Sequence, residues 1–289
     1  MKIKKVLLLY KRSAYNIYFM DRNSSMRISK NQVIQRESKK FKEAHARHYE
    51  TLKSISRVLF TYGIRFDEAY RGSRINYKKY DLVITVGGDG TFLEAARNLT
   101  NQIIFGINSA PGFSVGRFCI ATSTNFESIF RKILIKDYKI RHLERLRVTF
   151  NNKETIDALN DVLVSHPNPA MLSRYSLAIG RVKEIHRSSG VWISTPAGST
   201  GAIKSAGGVV LNQYARAFQY KPRELYAARS SHYQLKGRIL KSNEHIMITS
   251  LMRRGMVYVD GAHQQHQFNF GSSIKIGLSP YPIRTIDVS

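Results

Sequence analysis

Three stretches of this chain hold residues whose types and spacing suit chemistry on phosphates and hydroxyls. The first is Val86-Gly-Gly-Asp-Gly-Thr91. Clustered glycines let a backbone bend tightly and come close to a ligand. Backbone N–H groups at the start of a helix favour an anion such as phosphate. Asp89 stands where a P-loop carries lysine, and neither GxxxxGK nor GxGxxG is present there. A carboxylate repels a phosphate, yet it suits Mg²⁺ or a hydroxyl about to attack phosphorus. A plain turn is the alternative reading. The second stretch runs from Trp192 to Gly208 and includes Ser194-Thr-Pro-Ala-Gly-Ser-Thr200 and Ser205-Ala-Gly-Gly208. Its small side chains leave backbone groups open to a ligand, and Ser199, Thr200 and Ser205 add hydroxyls. A tight crossing of segments would use the same residues. The third is Asn160-Asp161 inside the apolar run Ala158–Ser165. A polar pair entering a sheet must be hydrogen-bonded, so it either braces the structure or reads a base or ribose.

Other candidates point to structure. Asp260-Gly261 reads as a hairpin turn. His263 and His266 lack a metal-ligand pattern, and His45 and His48 lie one helical turn apart on what reads as a half-exposed face. No G-x-S-x-G elbow is present. Cys119 reads as a small core residue. No RNP motif, zinc finger or helix-turn-helix is visible.

The elements that must position these residues follow from periodicity. Lys2–Tyr10 reads as a buried strand, and Lys11–Lys30 as a polar loop. Asn31–Tyr62 has no glycine or proline, and its apolar residues fall at helical spacing. Gly63 then sits where a helix cap belongs. Ile64–Phe66 is a short strand. Asp81–Val86 is a β-branched strand running into the glycine turn, a helix over 92–98 and a strand over 102–107. Strand, glycine turn, helix and strand in series indicate a parallel α/β unit. Beyond about Arg141 short strands dominate: 145–151, 158–165, 176–179, 191–195, 246–251, 256–259 and 274–278. That texture indicates a mainly antiparallel β domain. The expected division is an α/β domain, 1–141, to which the tail 276–289 returns, and a β-rich domain, 142–275.

Composition sets the outer bounds. Of 289 residues, 43% are apolar, which argues against a disordered chain. One cysteine implies a reducing compartment, and the expected location is cytoplasmic. No apolar run approaches the ~20 residues of a membrane helix. Val6–Leu9 is shorter than the roughly 7–15 residues of a signal core. The formal charge of +26 attracts polyanions, so nucleic acid enters only as a non-specific electrostatic partner.

Taken in order, these motifs resemble the NAD kinase family. Gly87–Thr91 matches its GGDGT motif, and Gly106-Ile-Asn-Ser-Ala-Pro-Gly-Phe113 resembles GINxGxxGF. Asn160-Asp161 stands at the family's Asn-Glu or Asn-Asp pair. Ser194–Thr200 resembles STPTGST, Ser205–Gly208 resembles SAGG, and Asp260-Gly261 resembles a late Asp-Gly. Lipid kinases of the diacylglycerol and sphingosine type share GGDGT but not the long second motif. The departures look like a divergent branch that includes mitochondrial-type NAD kinases. Ser189 replaces a frequent Asp that helps hold the nicotinamide half. Gly201-Ala202 replaces Ala-Tyr, and Asp161 is one methylene shorter than Glu.

The resemblance implies the NAD kinase and diacylglycerol kinase-like fold, and phosphoryl transfer from ATP, with Mg²⁺, to the adenosine 2′-hydroxyl of NAD. It gives Asp89 the catalytic role, through the hydroxyl or Mg²⁺, and Gly87, Gly88, Gly90 and Thr91 the phosphate path. It gives Asn160, Asp161, Arg187, Thr200, Gly201, Ala202 and Ser205 the dinucleotide. It also implies a homo-oligomer, dimer or tetramer. The rival readings are a lipid or other small-alcohol kinase, and a non-catalytic basic protein binding a dinucleotide or nucleic acid.

Overall fold

A computed structural model describes residues 3–20, 31–151, 153–226, 232–262 and 264–288. Asn23-Ser-Ser25 and His263 lie outside the described residues. The chain divides into two compact units, Met1–Arg141 with Arg284–Ser289, and His142–Ile283.

The first unit is built on a mainly parallel sheet. Strands β1 (Lys5–Tyr10), β2 (Arg65–Tyr70), β3 (Leu82–Gly87) and β4 (Ile103–Asn108) lie in the order β2-β1-β3-β4, all parallel. Beyond β4 come the chain's last strand, Ile283–Asp287, and β6 (Lys139–Leu143), while β5 (Cys119–Ala121) pairs with β4 to one side. Val6–Leu9 of β1 and all of β3 and β4 are buried. That is why these strands read as unbroken apolar runs: helices cover both faces.

Helix α1 (Gln32–Thr61) starts on Asn31, whose side chain accepts from Val33 N at 2.9 Å. It ends in a Schellman pattern, Ile64 N to Leu59 O and Gly63 N to Phe60 O. Its residues Leu52, Ile55 and Leu59 join Phe126, Ile129 and Phe130 of α3 (Phe126–Leu134) against Leu8, Ile84, Val86 and Phe105 of the sheet. Helix α2 (Asp89–Asn98) follows β3 directly. Part of the expected polar loop is ordered, for Asn16–Met20 form one π-helical turn.

The second unit holds two six-stranded antiparallel sheets. In chain order its strands are β7 (Leu146–Phe150), β8 (Glu154–Ala158), β9 (Asp161–Ser165), β10 (Ser173–Ile179), β11 (Val182–Ser188) and β12 (Val191–Ser194). There follow β13 (Ala217–Pro222), β14 (Arg238–Lys241), β15 (Ile246–Ser250), β16 (Met256–Val259), β17 (Gln264–Gln267) and β18 (Ser273–Leu278). One sheet has the order β11-β10-β15-β18-β7-β8, the other β14-β13-β12-β9-β16-β17. Alternate residues of both fill one core around Tyr175, Tyr220, Phe218 and Phe268.

Two expectations are corrected. Ala158–Ser165 is not one strand: β8 ends at Ala158 in one sheet and β9 begins at Asp161 in the other. Leu159-Asn160 is therefore a corner, and the polar pair sits where the chain changes sheets. The tail joins the first unit only from Arg284, because β18 is central in its sheet, with Ile276 opposite both Ile246 and Val148.

Truncating Ile55, which is fully buried between α1 and the sheet, removes core contacts that the helix cannot replace. Ile55→Ala should lower stability by about 2–5 kcal/mol in urea unfolding. Phe60→Ala, at a side chain 80% exposed on the same helix, should change it by less than about 0.5 kcal/mol.

Candidate functional site

In the first unit the chain reaches its chemistry at the carboxyl ends of the parallel strands. The order β2-β1-β3-β4 reverses direction between β1 and β3, and ligands of such sheets bind outside that switch point. Gly87 ends β3, Gly88 caps α2, and Asp89, Gly90 and Thr91 form its first turn. The helix thus begins three residues earlier than its apolar pattern suggests. Gly87 is required by close approach, since a Cβ there would lie 2.2 Å from Thr91 Oγ1. That hydroxyl oxygen is buried and finds no hydrogen-bond partner among the described residues.

One oxygen of Asp89 is fixed. Phe118 N donates to Oδ1 at 2.8 Å, and Phe118 is held by stacking on Phe92 of α2 at 5.0 Å. Oδ2 accepts no hydrogen bond among the described residues, so it is the oxygen offered outward. Cationic side chains surround this turn. Arg71 N bonds Tyr10 O at 2.7 Å, and Arg71 Nη1 lies 3.1 Å from where a Cβ on Gly90 would stand. Burial, then the like charge of Arg71, lowers the pKa of Lys11. Burial, then the negative charge of Asp89, pushes the Cys119 thiol up to about 12. Cys119 is therefore a protonated, half-buried neighbour of the site. Lys11 and Arg71 directly follow β1 and β2, so the two strand ends deliver positive charge to a turn that suits a phosphate. Sequence reading missed both, although cations just past adjacent parallel strands were there to be noticed.

Behind the turn lies a buried histidine. The expected half-exposed face is corrected here: His48 is fully buried, with Nδ1 2.8 Å from Ser109 Oγ and Nε2 2.8 Å from Lys11 O. Burial first, then the charge of Lys11, lowers its pKa to about 4. The neutral ring donates from Nε2 and accepts at Nδ1. Ser109 N in turn donates to Gly87 O at 2.9 Å. His48 thereby ties the end of β1 to the first glycine of the turn.

In the second unit the corner at Leu159–Asp161 is held by Asp260. Its carboxylate accepts from Leu159 N at 2.9 Å, Asn160 N at 2.7 Å and Asp161 N at 3.3 Å. The Asp260-Gly261 turn reads in sequence as a hairpin, and it is one, but Asp260 also organises the corner from 99 residues away. The Asn160 carbonyl accepts from Thr195 N at 3.0 Å and Ser194 Oγ at 3.2 Å. Gly198 also admits no side chain: a Cβ would lie 2.2 Å from Asn160 O. Gln219 clamps the following segment, accepting from Val209 N at 2.9 Å and donating to Val209 O at 2.6 Å.

The backbone of the polar pair is braced while its side chains are not. Asn160 Oδ1 is buried without a hydrogen-bond partner among the described residues. Asp161 is 8% exposed, and burial, then the charge of Asp260, raises its pKa from 3.8 to about 7. A Cβ on Gly201 would lie 3.7 Å from Asp161 Oδ2, so Gly201 and Asp161 are neighbours. Thr200 closes the short turn Ala197–Thr200, and Ala202 and Ser205 line a cleft of about 440 Å³ with Trp192, Arg223 and Glu224. Arg187 is exposed on β11 opposite Arg174 of β10, and its carbonyl accepts from Tyr226 N at 2.9 Å, just past the cleft residues Arg223 and Glu224.

A protonated Asp161 binds more protons folded than unfolded, so its ionisation lowers stability as pH rises from about 4 through about 7. In urea unfolding across that range, wild type should lose stability relative to Asp161→Asn, and the difference should level off above pH 8. A flat difference would show that Asp161 titrates normally.

The profile described as the ATP-NAD kinase N-terminal domain matches residues 3–138. A probable NADH kinase of Oryza sativa subsp. japonica is 35% identical over 253 residues, covering 79% of this chain and 78% of the relative. The NADH kinase of Arabidopsis thaliana is 30% identical over 315 residues, covering 100% and 97%. Among solved structures, the NAD kinase of Archaeoglobus fulgidus in complex with ATP shares the fold with a TM-score of 0.71 at 22% identity, covering 99% of this chain and 94% of the other. The yeast NADH kinase complexed with NADH does so with a TM-score of 0.73 at 17% identity, covering 100% and 85%.

Proposed function

The chain belongs to the NAD kinase family, and from that premise we propose that it moves the terminal phosphoryl group of ATP to the adenosine 2′-hydroxyl of NAD, forming NADP. The carrying observation is Asp89: one oxygen held by Phe118 N, the other open, on a helix N-terminus beside Lys11 and Arg71. Phosphoryl transfer passes through a loose transition state, so positioning and charge neutralisation dominate. Gly88 and Gly90 offer the triphosphate backbone N–H groups, Gly87 and Thr91 shape the turn that presents them, and Lys11 and Arg71 offset its charge. Asp89 orients the acceptor hydroxyl and takes its proton late. Asn160 Oδ1 and Asp161 bind the dinucleotide, with Thr200, Gly201, Ala202 and Ser205 lining its path and Arg187 supplying positive charge.

Mg²⁺ fits as a companion of ATP. Among the described residues no group of three or more His, Cys, Asp or Glu can hold a metal, so the ion would be carried by phosphate oxygens of ATP and water, which leaves Asp89 Oδ2 to the acceptor hydroxyl. When bound, the ion neutralises the phosphates. The Archaeoglobus relative's complex with ATP supports the donor. The reading extends to a cytoplasmic dimer or tetramer, as the family implies and as the single cysteine suits. No helix among the described residues is long and apolar enough to cross a membrane. The lipid-kinase and non-catalytic readings find no support in these likenesses.

NADH is a second acceptor that one feature favours. Ser189, whose N–H donates to Arg223 O at 3.0 Å, stands where many members place an Asp. Without that carboxylate a cationic nicotinamide loses a counter-charge while the neutral dihydronicotinamide loses nothing, and in the adjoining cleft Arg223 and Glu224, 4.0 Å apart, offset one another. The rice and Arabidopsis relatives bear the name NADH kinase.

NADP formation from NAD, ATP and Mg²⁺, read by an NADP-specific dehydrogenase, should fall at least about 10²-fold in kcat for Asp89→Asn, with the urea midpoint kept. Near-normal turnover in that variant would remove Asp89 from the chemistry. Ser189→Asp should raise kcat/KM for NAD relative to NADH about threefold or more. An unchanged ratio would dismiss the counter-charge argument.

A further inference from the structure

A cavity of about 680 Å³ opens in the first unit, and no residue of Gly87–Thr91 lines it. Its walls come from α1, from the loop after β4 and from the approach to α3. That size is typical of a small-molecule site. Its chemistry is specific in kind. Arg47 supplies a guanidinium, and Ser54, Thr122 and Thr124 supply hydroxyls together with Thr51 and Ser109. Glu50 adds one carboxylate. Arg47 is not left to sweep freely, because its guanidinium lies over the Phe113 ring at 5.4 Å. An arginine beside several hydroxyls and a carboxylate matches a ligand with an anionic end and hydroxyls of its own.

The cavity is also wired to the glycine turn. Ser109 meets the cavity and makes three tying contacts. Its Oγ pairs with His48 Nδ1 at 2.8 Å, its carbonyl accepts from Thr51 Oγ1 at 3.1 Å, and its N–H donates to Gly87 O at 2.9 Å. A ligand touching Ser109 and Thr51 therefore bears on the residue that fixes Gly87.

We propose that this cavity is a second ligand site, for a small phosphorylated polyol, coupled through Ser109 to the phosphate-binding turn. The phosphate pairs with Arg47, and the polyol hydroxyls bond Ser54, Thr122, Thr124 and Glu50. The site exists whether or not the kinase reading holds; only its effect on turnover rests on that reading.

The probes are ribose 5-phosphate and glycerol 3-phosphate, titrated calorimetrically into the full chain, with ribose and inorganic phosphate as single-moiety controls. One equivalent of at least one phosphorylated polyol should bind, at least tenfold tighter than either control, with saturating ATP present. Arg47→Gln and Ser54→Val, checked for an unchanged urea midpoint, should each weaken it at least tenfold, while Lys11→Gln should not. Absence of binding, full competition by ATP, or equal affinity in Arg47→Gln and Ser54→Val would overturn the site. For the coupling, the bound probe should shift the KM for ATP at least twofold in wild type and not in Arg47→Gln. Binding without that shift, in an enzyme that does make NADP, would overturn the coupling. Binding in a protein that makes no NADP would count against the kinase reading alone.

Discussion

Three backbone N–H groups, those of Leu159, Asn160 and Asp161, converge on the carboxylate of Asp260. The second unit's candidate site depends on this contact. A chain that leaves one sheet for the other at Leu159-Asn160 abandons its ladder partners there, and buried N–H groups without acceptors are costly. Asp260 satisfies them with one charged group. Because the backbone is secured in this way, the side chains of Asn160 and Asp161 need not secure it. Asn160 keeps a buried oxygen unpartnered, and Asp161 keeps a carboxyl whose ionisation is disfavoured first by burial and then by the charge of the same Asp260. Both are arrangements that a ligand with hydroxyl and amide groups would complete.

The first unit reaches a comparable state by other means. Its parallel strands deliver Lys11, Gly87 and Ser109 to one edge, and His48 locks two of those strand ends together. Gly87 admits the Thr91 side chain where any Cβ would collide with it. Phe118 N takes one oxygen of Asp89 and leaves the other available. In each unit rigid neighbours hold the backbone and leave selected polar atoms unused, the pattern expected of a preorganised site.

Much of this was legible in the sequence, where local physics decides. The apolar stripe, Asn31 and Gly63 mark the limits of α1, and the β-branched run before Gly87 marks β3 and the turn that follows. What stayed hidden depends on partners distant in sequence. His48 reads as half-exposed, although it falls on the apolar stripe of α1 between Ala44 and Leu52; the approach of Lys11 and Ser109 makes it a buried strut. Ala158–Ser165 looks like one strand because alternation does not reveal which sheet a residue joins. Asp260 looks like a turn residue because its three donors lie about a hundred positions earlier. The return of the chain's end to the first sheet at Arg284, rather than at 276, is set by β18 pairing on both sides. Lys11 and Arg71 follow two different strands, and only parallel pairing makes them neighbours.

Everything in the two sites serves direct transfer of the ATP terminal phosphoryl group to the 2′-oxygen of the adenosine ribose, as proposed above. Mass spectrometry of the dinucleotide formed from NAD and ATP labelled with ¹⁸O in the terminal phosphoryl group tests it most directly. Direct transfer should give NADP carrying the labelled phosphoryl group on the adenosine 2′-oxygen, with unlabelled ADP. Labelled inorganic phosphate without labelled NADP would contradict it.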